Sequence, residues 1–232
     1  MRIAIIPARG GSKRIKGKNI IDFEGRPMIS YPLMAVKQSG LFSKIHVSTD
    51  NQEIADVVKG LGFPIDFLRP DHLADDHTPV LEVARYVLKT YHEQGISFDN
   101  FTMIMACSPL LISDDFLQAQ SLFEKNKGAF PVLSVSEFPA PTEWAFSSNT
   151  DGTISVEQPE LLTIRSQNLK TRYYDTGNFC IQSASNVLNS NSKVLSKFLP
   201  YSLPKERAVD IDSLEDLEFA KTLLRAQKLK KA

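Results

Sequence analysis

Through its first 135 or so residues the sequence alternates short β-rich runs with amphipathic helical stretches. That alternation is what βαβ units on a parallel sheet require, and it commits the chain to an α/β class. Strands are expected over residues 3–8, 44–48, 65–68, 101–105 and 130–135, with helices over 28–39, 52–61, 79–94 and 114–125. Thr78 stands where it can cap a helix whose first residue is Pro79, and Ser113 precedes Asp114 and Asp115. Gly40, Gly62 and Gly95 sit where three of the helices should stop.

Beyond residue 136 the pattern breaks. Pro139, Pro141, Trp144 and Phe146 precede Asn149-Thr150-Asp151-Gly152, a turn signal between two short strands, so 137–169 reads as an inserted, β-rich excursion. Strands are then expected over 173–181 and 208–211. A last helix follows, with Ser213 and Asp216 in capping-box spacing, Leu214, Leu217, Ala220 and Leu224 on one face, and Lys228, Lys230 and Lys231 at its end. At 232 residues and 42% hydrophobic content, residues 1–232 form a single domain carrying that insertion.

Charge excludes two classes of partner. With 27 basic and 27 acidic residues there is no net pull toward nucleic acid or an anionic membrane, so any basic site is local. The apolar run at the N-terminus is too short for a secretion signal or a membrane span, and Cys107 and Cys180 are far apart in apolar surroundings. These features lead us to expect a cytoplasmic protein with reduced cysteines.

The local basic site is plain. Arg9, Lys13, Arg14, Lys16 and Lys18 are interleaved with Gly10, Gly11, Ser12 and Gly17, and no acid occurs before Asp22. Directly after the first strand, such a loop lies at the carboxyl end of the sheet, where open α/β folds bind ligands. Glycines admit phosphate oxygens to the backbone and the cations offset their charge. It is not a Walker loop, because five residues separate Gly11 from Gly17 and Asn19 follows Lys18; the dinucleotide G-x-G-x-x-G is also absent.

The run Ile6-Pro7-Ala8-Arg9-Gly10-Gly11-Ser12-Lys13, continuing to Lys18-Asn19-Ile20 and Gly25-Arg26-Pro27-Met28-Ile29, resembles the signature of the CMP-sialic acid synthetase family of cytidylyltransferases. The likeness extends in family order through Val47-Ser48-Thr49-Asp50, Leu68-Arg69-Pro70, Leu73-Ala74-Asp75-Asp76, Ser108-Pro109-Leu110 and Asp210-Ile211-Asp212. Ser12-Lys13-Arg14-Ile15 and Pro27-Met28-Ile29-Ser30-Tyr31 are most similar to the branch that activates pseudaminic acid. The resemblance implies a Rossmann-like, mostly parallel nucleotidyltransferase sheet and transfer of CMP from CTP to a nine-carbon acidic sugar.

It further implies that Ala8, Arg9, Gly10, Gly11, Ser12, Lys13, Lys18, Asn19 and Arg69 bind the nucleotide, with Arg9, Lys13, Lys18 and Asp212 serving the chemistry. Arg165, Gln167, Asn168, Tyr174 and Asp175 resemble the segment that meets the sugar, and the family's homodimers make 137–169 the expected subunit contact. Asp210 and Asp212, one residue apart on an extended chain, face the same side and make a pair for Mg²⁺, with Mn²⁺ able to substitute. Where the common sialate pattern has polar groups, Met105, Ala106, Cys107 and Leu111 stand here, which suits a deoxygenated, bis-acetamido sugar. Competing expectations are sialic, legionaminic or 3-deoxy-octulosonic acid as substrate, nucleotide transfer to a sugar phosphate, or a non-catalytic nucleotide-binding regulator.

Overall fold

The computed structural model describes residues 1–189 and 196–229. Lys230 and Lys231, expected at the end of the last helix, lie outside them. In chain order the elements are β1 (Arg2–Pro7), β2 (Asp22–Phe23), β3 (Arg26–Pro27), α1 (Ser30–Ser39), β4 (Lys44–Ser48), α2 (Gln52–Gly60), α3 (Val80–Glu93) and β5 (Asn100–Ile104). There follow α4 (Ser113–Lys125), β6 (Val132–Glu137), β7 (Phe146–Ser148), β8 (Ile154–Val156), β9 (Tyr173–Ser183), α5 (Ala184–Asn189), β10 (Leu199–Ser202) and α6 (Leu214–Leu229).

Six strands form one sheet in the order β10-β6-β9-β5-β1-β4. Pairing is parallel throughout except at β9, which runs against both β5 and β6, so the sheet is mostly parallel as expected. β1 is an unbroken apolar run because both of its faces are covered. Ala4 and Ile6 pack with α1, α2 and α4, while Ile3 and Ile5 pack against Ala84, Val87, Leu88 and Tyr91 of α3. A third cluster joins Ile15, Phe23, Met28, Cys107, Leu110 and Ile211 to Leu217 and Ala220, so α6 closes over the end of the basic loop.

The helix stops fall where the glycines predict: Gly40, Gly62 and Gly95 all have positive φ, which costs glycine nothing sterically. Ser213 and Asp216 form the expected reciprocal cap, the Asp216 carboxylate accepting from Ser213 N and Oγ at 2.8 Å while Asp216 N donates to Ser213 Oγ at 3.2 Å. Leu214 is not on the buried face of α6, being 63% exposed. The cap at α4 differs in detail: Ser113 is already helical, and Asp115 reaches back to accept from Ile112 N at 2.9 Å.

Two expected strands are absent, and three present strands were not expected: the short β2–β3 pair and β10. Residues 65–68 run past the sheet edge between Pro64 and Pro70, with Ile65 and Phe67 packed into separate clusters and Arg69 N bonded to Thr49 O at 2.7 Å. Residues 208–211 cross the carboxyl edge of the sheet, and Ala208 N turns back to Pro204 O at 3.1 Å instead of entering a ladder. The strand that completes the sheet is β10, parallel to β6 at the far edge. It contains Pro200, which only an edge strand tolerates.

The excursion over 137–169 carries the expected hairpin, β7 paired antiparallel with β8 in a two-stranded sheet of its own. Asn149 N donates to Thr153 O across the turn at 2.9 Å, and Gly152 takes positive φ. Trp144, half-buried, donates its indole N–H to Leu161 O at 3.3 Å. No helix among the described residues is long and apolar enough to cross a membrane.

Candidate active site

β1, β4 and β5 end together, so the segments leaving them meet at one edge of the sheet. There the segments leaving β1 and β5 line a cleft of about 470 Å³ with Arg69, the 71–80 segment and the approach to α6. The basic loop leaves β1 pinned on three sides: Ala8 N donates to Ser48 O at 2.9 Å, Gly10 N to Asp50 Oδ1 at 3.0 Å, and Asn19 Nδ2 to Arg9 O at 3.0 Å. Gly17 turns the loop with a φ of 63°, a conformation that suits glycine.

Arg9, Ser12, Lys13, Lys18, Asn19 and Arg69 all line the cleft. Lys18 is mostly buried and donates to Ile211 O at 2.7 Å and to Asp212 Oδ1 at 3.3 Å; Arg14 pairs with the other Asp212 oxygen at 2.7 Å. Arg9 and Lys13 both pair with Asp76, and Arg9 Nη1 also reaches Asp75 O at 3.1 Å. Arg69 is spent on the scaffold: its guanidinium donates to Ser48 Oγ at 3.1 Å, to Ser48 O, and to Leu73 O at 3.4 Å, tying β4 to the 71–80 segment. Ala8, Gly10 and Gly11 shape the loop without lining the cleft.

Asp210 and Asp212 face the loop across the cleft. Half-burial raises the Asp210 carboxyl above the usual carboxylate range, and the charge on Asp212 adds to the shift; Lys18 and Arg14 pull the other way. A pair of carboxylates that destabilise one another in a partly dry site favours a cation between them. Among the described residues no group of three or more His, Cys, Asp or Glu side chains could hold a metal ion. Two hard oxygen donors with room left for water and phosphate oxygens fit Mg²⁺.

A bulge in β9 brings a further element to this point. The β6–β9 register shifts between Leu133 and Val135, and Thr176 is held there by its hydroxyl on Ser134 Oγ at 2.8 Å. Gly177, with a φ of 65°, consequently lines the cleft beside Asp210, where an added Cβ would stand 3.6 Å from Asp210 Oδ2. Asn178 donates to Ser108 Oγ at 3.0 Å and accepts from Met105 N at 2.9 Å, fixing the Met105-Ala106-Cys107 wall. Burial pushes the Cys107 thiol upward, which makes it a packing group on that wall.

The five expected sugar contacts are elsewhere. Arg165, Gln167 and Asn168 are exposed on the excursion, Tyr174 meets Phe138 edge to face with ring centroids 5.3 Å apart, and Asp175 Oδ1 accepts from Gly177 N at 2.8 Å. None of them is among the described residues lining the cleft. Conversely, Asp76, Asp50, Arg14 and Gly177 take part in the site. Asp50 and Asp76 were visible in the sequence only as members of family-like runs.

A cationic loop after the first strand, set opposite paired carboxylates at the carboxyl edge of a mostly parallel sheet, defines an α/β protein of nucleotidyltransferase type. The cytidylyltransferase family profile matches residues 3–228, and the chain belongs to that family. It is 34% identical over 221 residues to the pseudaminic acid cytidylyltransferase of Campylobacter jejuni, covering 95% of each chain. It is also 30% identical over 232 residues to the CMP-N,N'-diacetyllegionaminic acid synthase of Legionella pneumophila, covering 97% of each. A solved structure of CMP:2-keto-3-deoxy-manno-octonic acid synthetase complexed with CTP superposes with a TM-score of 0.71 at 15% identity, over 97% of this chain and 99% of that one. That last likeness is one of fold.

Proposed function

We propose that the protein transfers CMP from CTP to the anomeric hydroxyl of a nonulosonic acid, pseudaminic acid being the favoured substrate, and releases pyrophosphate. The observation that carries this reading is the convergence of Lys18 and Arg14 with Asp210 and Asp212 in a cleft that also holds Arg9 and Lys13. Sequence similarity over nearly the whole chain to a pseudaminic acid cytidylyltransferase supports the choice of sugar, as does the apolar Met105-Ala106-Cys107 wall.

The anomeric hydroxyl gives up its proton to solvent water as its oxygen forms a bond to the α-phosphorus, and the bond from that phosphorus to the α–β bridging oxygen breaks, the electron pair leaving with pyrophosphate. Little covalent work falls to the protein, so its residues act by positioning and by cancelling charge. Arg9, Lys13 and Lys18 hold the triphosphate and stabilise the charge that grows on pyrophosphate. Asp210 and Asp212 would hold Mg²⁺, or Mn²⁺ in its place. Bound there, the ion supplies a compact divalent charge for phosphate oxygens. Arg69, held on Ser48 at the end of β4, positions the cytidine side of the cleft.

The same proposal includes a homodimer. β7 and β8 pair Phe146 with Val156 and Ser148 with Ile154, leaving Ser147 and Ser155 on the other side, so one face of the hairpin is largely apolar. Phe146 and Ile154 are 51% and 64% exposed, and a lone two-stranded hairpin is marginal in water without cover. A second copy covering that face would carry Arg165, Gln167 and Asn168 toward a site which they do not line in their own chain.

Pyrophosphate release with CTP, Mg²⁺ and a panel of purified nonulosonic acids tests the function. Turnover of pseudaminic acid is expected, and turnover of N-acetylneuraminic acid alone overturns the specificity. Exchanging CTP for UTP, ATP and GTP tests the base. Asp212→Ala should abolish turnover and leave CTP binding largely intact, because Lys18 and Arg14 stay in the cleft; unchanged pyrophosphate release would remove Asp212 from the chemistry.

A further inference from the structure

Arg9 and Lys13 are the two cations nearest the start of the loop, and the same carboxylate, Asp76, sits on both. Arg9 Nη1 is additionally engaged by Asp75 O at 3.1 Å. These contacts come from a segment with its own internal order. Asp75 Oδ1 gathers His77 N at 2.9 Å, Thr78 N at 2.6 Å and Thr78 Oγ1 at 2.7 Å, so the turn keeps its shape whatever Asp76 touches. No residue from 71 to 80 is buried, and the segment hangs between Arg69, which holds Leu73 O at 3.4 Å, and the start of α3. Displacing it breaks ion pairs and leaves the core packing alone.

We infer that Asp76 is a built-in placeholder for triphosphate: its carboxylate holds Arg9 and Lys13 in position, and a triphosphate must evict it, together with segment 71–79, to reach them. Ion pairing with Lys13 and Arg9 keeps the Asp76 carboxyl at about 2, so it is anionic at any pH at which the protein would work. Carboxylate and phosphate are like charges competing for the same forked and ammonium donors. Asp76 is therefore a positioning residue that sets triphosphate affinity and prevents the two cations from collapsing elsewhere. The identity of the triphosphate as CTP rests on the proposed function; the placeholder itself rests on the ion pairs.

The test compares wild type, Asp76→Asn, Asp76→Ser and Asp71→Asn by calorimetry with CTP, inorganic tripolyphosphate and cytidine, after thermal melts establish folding. Asp71→Asn removes a charge from the same segment but not from Arg9 or Lys13. With Asp76 neutral, CTP and tripolyphosphate should both bind about three- to tenfold more tightly, the range two partly exposed ion pairs supply. Cytidine affinity and Asp71→Asn should stay near wild type. Unchanged or weaker tripolyphosphate binding overturns the inference, as does an equal gain in Asp71→Asn or a parallel change in cytidine binding. Hydrogen exchange on the wild-type chain gives a second reading: tripolyphosphate should speed exchange over residues 71–79, and unchanged or slower exchange there also overturns it. If another nucleoside triphosphate binds better than CTP, the proposed function fails while the tripolyphosphate arm still judges Asp76.

Discussion

A Cβ built on Gly10 would stand 2.7 Å from Asn51 Nδ2 and 2.8 Å from Asn51 Cβ, closer than side chains pack. Asn51 is the N-cap of α2 and accepts from Ile54 N at 3.0 Å, so Gly10 is required by a neighbour's cap as well as by any ligand. Gly10→Ala should push Asn51 off its cap and cost about 1–2 kcal/mol. Gly11→Ala, with nothing within 4 Å of the new Cβ, should be close to neutral. Because a Gly cap costs only a few tenths relative to Asn, Asn51→Gly added to Gly10→Ala should recover most of the loss. Urea titrations of the four proteins check this, and equal stability of the two alanine variants would remove the steric argument. In the sequence, Gly10 and Gly11 are indistinguishable members of a phosphate-type loop. Their difference lies in which residue of a distant connection packs beside each, and local pattern carries no record of that.

At the scale of elements, the seam between β4 and α3 contains a histidine that the sequence left unremarked. His46 is buried, its Nδ1 is 3.0 Å from the Tyr91 hydroxyl, its ring lies 4.5 Å from that of Phe67, and Tyr91 in turn donates to Asp66 at 2.6 Å. Burial holds the His46 pKa at about 4, Asp66 pulling it upward while Lys44 and Arg69 push it down. The folded state therefore resists protonation. Stability from this residue is complete above the unfolded pKa of 6.5 and is lost as pH falls from there toward about 4. That interval corresponds to about 3 kcal/mol. His46→Phe, free of this titration, should lose less stability than wild type between pH 7.5 and pH 4 by about that amount; parallel losses would mean that other groups carry the acid sensitivity.

Elements with strong local signals were legible: β1 through its apolar run, α2, α3 and α4 through their apolar periodicity, and α6 through Ser213 and Asp216. The misread ones depend on what lies beside them. Residues 65–68 and 208–211 have strand-like composition, yet one is flanked by prolines at the sheet edge and the other crosses the sheet's end. β10 holds Pro200 and shows its character only when aligned against Leu133 of β6. The candidate site divides in the same way. The cations and the Asp210–Asp212 pair are visible as runs, whereas the Asp76 ion pairs and the Gly177 bulge arise from contacts between segments far apart in sequence.

For the whole molecule, the six-stranded sheet sets the cleft within one chain, while Arg165, Gln167 and Asn168, expected to meet the sugar, lie on the 137–169 excursion outside that sheet. Under the proposed function, this separation would make nucleotide binding a property of the chain and part of the sugar site a property of the dimer. The apolar face of the hairpin is where the two can be uncoupled, since Phe146 and Ile154 lie on the same side of a hairpin that forms its own two-stranded sheet. Replacing both with serine preserves a β-compatible hairpin and removes the surface that would need cover. Light scattering should then report a mass near the 25.9 kDa of the single chain where the parent gives twice that. CTP affinity should hold within about twofold, while the KM for the sugar rises tenfold or more, the outcome of losing charged contacts made by the neighbour. A parent protein that is monomeric with full turnover would defeat the shared site. So would a monomeric double variant with an unchanged KM for the sugar, because Arg165, Gln167 and Asn168 would then have no part in the other copy's cleft.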